Sequence, residues 1–148
     1  MKKRIMGVLA LGMALTSLTA VMSPAMAWDR GTEGCTPGYW KTHAEAWVGY
    51  SPSQTVGSVF DGEDASLSDA TLLEALGFDG GTGLVGAERT LLRASVASLL
   101  SAASDIDYGY GATRVINTTN RALLSDSRPR ILRMAAECDR LNNRGCPL

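Results

Sequence analysis

Residues 34–47 read GCTPGYWKTHAEAW, and the rest of the chain is read outward from them. The stretch holds Cys35, Tyr39, Trp40, Trp47 and His43, the chain's one histidine. A helix starting at about Pro37 would set Trp40, His43, Ala44 and Trp47 on one face and Lys41, Thr42 and Glu45 on the other, since residues three and four apart share a face. The expectation is a short anchor helix with its aromatic side inward. Cys35, immediately before it, offers a covalent tie to a distant segment.

On the N-terminal side, residues 1–27 have the three parts of an export signal. Lys2, Lys3 and Arg4 precede an apolar run from Ile5 to about Val21, and Ala25 and Ala27 suit a signal peptidase, so cleavage is expected before Trp28. An uncleaved anchor is disfavoured, because Pro24 breaks the apolar helix and no basic stop-transfer cluster follows. Residues 28–148 are then one extracytoplasmic domain, large enough for a single core. No second apolar stretch is long enough to span a bilayer, so no membrane contact is expected after cleavage.

The chain has 14 basic and 15 acidic residues. Three of the basic ones leave with the leader, and the mild acidity that remains argues against nucleic acid as a partner. Arg30, Lys41, Arg89 and Arg93 are outnumbered by acidic residues as far as Tyr110, while arginines dominate from Gly111 on. The simplest reading is that the two halves face each other in the fold.

With 3 cysteines in an exported chain, one disulfide and one free thiol are expected. Cys138 shares a helical face with Ile131, Met134, Ala135 and Leu141, which suits a small core residue. Cys35 and Cys146 lie in turn-like sequence at the two edges of the domain, so the favoured pair is Cys35 with Cys146. A loop that long is worth about 4–5 kcal/mol through the unfolded chain's lost entropy.

C-terminal to the anchor, Thr55 to Phe60 reads as an extended connector, and Asp61-Gly62-Glu63-Asp64 as a solvated acidic turn without the ligand spacing of a calcium loop. Ser66 or Ser68 can cap a helix running to Leu76. The next helix, about 87–104, is uncharged from Ala94 to Ala103. Its stripe of Leu92, Val96, Leu99 and Ala103 and its small side of Ala94, Ser95, Ser98 and Ala102 mark it as the buried one. Tyr108 and Tyr110 fall in a turn expected at the surface. Two further amphipathic helices are predicted, about 113–124 and from Ser127 to Leu141. The fold class is all-α, a bundle of about five helices with long loops, stapled by one disulfide.

Gly81-Thr82-Gly83-Leu84-Val85-Gly86 matches G-x-G-x-x-G, but a dinucleotide site needs a strand feeding the glycines, and a helix is predicted there. No cofactor is expected. One histidine is too few for a zinc site, and no G-x-S-x-G elbow is present, so no metal ligand or catalytic residue is assigned. Tyr39, Trp40, His43, Trp47 and Tyr50 are the candidate binding residues, because indole and phenol faces stack on sugars and anchor protein contacts. With only two phenylalanines, however, the domain is expected to hold Trp40 and Trp47 mainly in its core and Tyr50 mainly at its surface.

GCTPGYWKTHAEAW, TLLEALGFDGGTGLVGAERTLLRASVASLLSAAS and AAECDRLNNRGCPL together resemble a group of exported bacterial proteins. Those carry a C-T-P-G-Y-W-K-N-H-P-x-x-W type motif and end in an N-N-x-G-C-P tail. Thr42, Ala44 and Cys138 depart from the pattern. The resemblance implies an extracytoplasmic helical domain and supports pairing Cys35 with Cys146; it implies no activity. The expected function is a non-enzymatic interaction or structural module of the cell surface, its partner an unknown protein or cell-wall component. The alternative is a saccharide-binding domain using the aromatic platform.

Overall fold

The computed structural model describes residues 31–148, and the predicted leader, residues 1–27, lies outside them. The described residues form six α-helices: α1 Pro37–Thr42, α2 Ala65–Ser68, α3 Leu72–Ala75, α4 Gly83–Ala103, α5 Ala112–Leu123 and α6 Arg128–Asn142. The all-α expectation holds, with no strand among the described residues beyond two isolated bridges, Gly34 with Gly145 and Thr55 with Thr71.

The central helix is α4. Leu91, Leu92, Val96, Leu99 and Leu100 are fully buried on it, as its uncharged run requires. Its small side lets α6 come close enough for Asn142 Nδ2 to donate to Ala94 O at 2.9 Å. α5 lies on the next flank, where Thr119 Oγ1 donates to Ser95 Oγ at 2.9 Å.

Both ends of the domain meet beside α4. Cys35 and Cys146 form the disulfide, 111 residues apart in sequence and 4.5 Å apart at Cα, and Gly34 N donates to Gly145 O alongside at 2.9 Å. Cys35 is completely buried, whereas Cys146 is exposed. Cys138 is the free, buried cysteine that its helical face indicated.

Three expectations need correction. The anchor helix stops at Thr42, because at His43 the backbone leaves helical values, with φ −125° and ψ 55°. Two rings then take carbonyls that the missing turn would have used. Nδ1 of His43 lies 2.8 Å from Tyr39 O, and Trp47 Nε1 donates to Trp40 O at 3.0 Å. Trp47 is thus reached through a 3₁₀ turn, Ala44–Ala46, and not along one continuous face.

The helix expected to reach Leu76 is two, α2 and α3. Thr71 and Glu74 form a reciprocal capping box that starts α3 afresh. The residues around Thr55 pair with the break, Val56 N donating to Ala70 O and Leu72 N to Gln54 O, each at 2.8 Å.

Tyr108, expected at the surface, is 1% exposed, its hydroxyl donating to Asn142 Oδ1 at 2.9 Å. The turn folds inward because residues 31–33 lie against it: Glu33 N donates to Asp107 O at 3.0 Å, and Asp107 N to Glu33 Oε2 at 2.7 Å.

The glycine motif has a packing role. α3, a helix, precedes it, and Gly86 in the first turn of α4 sits so close to Gly81 that a Cβ there would lie 2.3 Å from a backbone carbon. Gly81 and Gly83 have φ of +147° and +69°, which favours glycine at both.

Candidate functional site

The aromatic platform is only partly available. Trp40 is completely buried, its Nε1 donating to Ser101 Oγ at 3.1 Å. It is therefore removed from the candidate binding residues: the helix that presents it turns its indole onto α4. Tyr39, His43, Trp47 and Tyr50 are half-buried. Tyr39 and His43 stack at 4.2 Å with planes 12° apart, and the edge of Tyr39 meets Trp40 at 5.2 Å. Val48, which follows Trp47, is 54% exposed and gives this side of the molecule an apolar point.

The His43 ring bonds within its own segment. Nδ1 has Tyr39 O and Thr42 Oγ1 within reach, the latter at 3.1 Å, so the ring completes the end of α1. Among the described residues no three His, Cys, Asp or Glu side chains converge as metal ligands would.

A second feature went unread in the sequence. Between α4, α5 and α6 lies a cavity of about 240 Å³. Its buried members are Ser98, Tyr108, Val115, Cys138 and Leu141; Tyr110, Arg114, Met134 and Glu137 are half-buried and bring it to the surface. Ser98 and Tyr108 both donate to the one oxygen of Asn142, at 3.1 and 2.9 Å, so their hydroxyl protons are committed within the protein. Apolar surface dominates what remains facing the cavity.

The titrating groups here are shifted by burial. Desolvation pushes the Cys138 thiol from the ordinary 9.0 up to about 11, so at neutral pH it is protonated and a poor nucleophile. Burial likewise raises Tyr108. Glu137 moves the other way, because the Arg140 guanidinium donates to both its oxygens, at 2.8 and 3.1 Å.

The two charged halves do not simply neutralise each other. Burial raises the Asp139 carboxyl, and Arg93 across the α4–α6 contact offsets only part of that rise. Arg121, Arg130 and Arg133, however, line a groove of their own between α5 and α6, and that groove shares Thr118, Met134 and Glu137 with the cavity. The clustering of arginine after Gly111 is legible in the sequence, and α5 and α6 bring three of its members, Arg121, Arg130 and Arg133, to this groove.

No helix among the described residues is long and apolar enough to cross a membrane. Compared with protein-family models, with curated proteins and with solved structures, the chain matches none.

Proposed function

We propose that the chain is an exported, non-enzymatic interaction module of the cell surface, contacting its partner through the segment from Tyr39 to Tyr50. The observation that carries this reading is how His43 is used. Its ring is held against Tyr39 and spent on closing α1, while Val48, five residues on, stands exposed between half-buried Trp47 and Tyr50. Tryptophan and tyrosine are the residues that dominate hot spots of protein contacts, and here they sit on a segment tied down by a disulfide at its start, with Val48 adding exposed apolar area. The leader and the Cys35–Cys146 bond both suit an oxidising, extracytoplasmic setting.

The test has two arms on the mature, disulfide-bonded protein. Envelope proteins and wall polysaccharides are titrated while tryptophan emission is followed, and Val48→Asp is compared with the unsubstituted chain. Saturable binding of an envelope protein, lost in Val48→Asp, supports the reading. Turnover in a panel of hydrolase substrates, lost in His43→Ala, overturns it.

A further inference from the structure

The cavity between α4, α5 and α6 shares no residue with the Tyr39–Tyr50 segment and concerns a different activity. Protein interiors are close-packed, and voids much larger than a water molecule are few. A cavity of about 150 Å³ lined by apolar side chains is already enough to hold benzene. This one, at about 240 Å³, has room for a second ring or a short hydrocarbon chain.

Two features of the lining narrow the ligand. A sugar or other polyhydroxy compound would be stripped of water and offered little in return, because the protons of Ser98 and Tyr108 are already given to Asn142. Met134, Val115 and Leu141 favour an apolar body instead. The rim is basic. Arg114, whose guanidinium stands 5.0 Å from the centre of the Tyr110 ring, lines the cavity and also the adjoining hollow that it shares with Arg121, while Arg130 and Arg133 continue along the groove. Glu137, the carboxylate at the rim, is engaged by Arg140.

We propose that this cavity binds a small amphipathic carboxylate, its ring or short hydrocarbon body inside and its anionic head at the arginine rim. Apolar burial supplies the affinity and the guanidinium field selects the anion over neutral molecules of the same shape.

The test uses the mature, disulfide-bonded protein with 2-naphthoate and octanoate as probes and 2-naphthalenemethanol as the uncharged comparison. Binding is followed by calorimetry and by the methyl resonance of Met134. The expected result is saturable binding of at least one carboxylate with a shifted Met134 methyl, and binding of the alcohol weaker than that of naphthoate by at least about fivefold. Arg114→Gln should weaken the carboxylate by a similar factor, and Met134→Trp, which fills the space, should abolish it.

The proposal is overturned if neither carboxylate binds saturably, if the alcohol binds as tightly as naphthoate, or if binding survives Met134→Trp. Should that variant not fold, the Met134 methyl of the unsubstituted protein decides: no shift on carboxylate binding places the ligand elsewhere and overturns the proposal.

Discussion

The indole of Trp40 donates to the hydroxyl of Ser101 across 3.1 Å, and the same hydroxyl accepts from Cys35 N at 3.2 Å. One serine on α4 therefore fixes both the aromatic anchor and the buried half of the disulfide. Ser101→Ala would leave two buried donors unsatisfied and should cost about 1–3 kcal/mol for each. Trp40→Ala, which also opens a hole, should cost about 3–5 kcal/mol. Because the two residues share a bond, the double variant should lose less than the sum in urea unfolding; full additivity would count against the contact.

The disulfide closes a loop of 111 residues' separation, so removing it should matter through the unfolded state. Cys35→Ala with Cys146→Ala is expected to lower unfolding free energy by about 4–5 kcal/mol. That is a large share of the total stability of a domain this size. Denaturant midpoints with and without reductant check the value, and equal midpoints would refute it.

Alkaline pH should unfasten the core by way of Cys138. Its thiol is raised from 9.0 to about 11 in the folded protein, so between those values the unfolded chain loses its proton while the folded one keeps it. The stabilising contribution is complete below pH 9 and falls away as pH approaches 11, by about 2–3 kcal/mol in total. Tyr108, raised by burial as well, acts in the same direction. Cys138→Ala should flatten this part of the stability profile, and in the unsubstituted protein the thiol should react with a disulfide reagent only on unfolding.

Two glycine substitutions should have opposite signs. At Gly86 a Cβ would lie 2.3 Å from the backbone of Gly81, and Gly86→Ala should destabilise by about 1–3 kcal/mol. Gly38 is exposed within α1, and the nearest atom to its Cβ position is 3.8 Å away. Gly38→Ala should stabilise by about 0.4–1 kcal/mol, by restricting the unfolded chain. Thermal melts distinguish the pair directly.

The α4 core, the covalent clasp and the buried thiol were legible because each has a signal along the chain: an uncharged run, turn residues around Cys35 and Cys146, a helical face for Cys138. The failures occurred where a side chain competes with the backbone. His43 and Trp47 fit a helical period, yet their rings take carbonyls that a longer helix would have used. Thr71-Leu72-Leu73-Glu74 carries a capping-box pattern inside an apolar face that otherwise reads as unbroken. Tyr108 sits among turn residues, and its burial depends on residues 31–33 folding against the turn, a contact with no local signature. The cavity arises where three helices fail to fill the space between them, and no one helix records that.

Ser95 and Ser98 belong to the small side of α4 and Ser101 follows them, but their hydroxyls do more than save space. Each is three residues from the last, and a three-residue step on an α-helix falls about 60° short of a full turn. The hydroxyls accordingly fan out in order, Ser95 to Thr119 on α5, Ser98 to Asn142 on α6, Ser101 to the segment carrying Cys35 and Trp40. Three neighbours are thus indexed against one rod like wards on a key. Sliding any of them by a single turn would strand a dry oxygen, so an otherwise greasy and slippery seam admits one alignment.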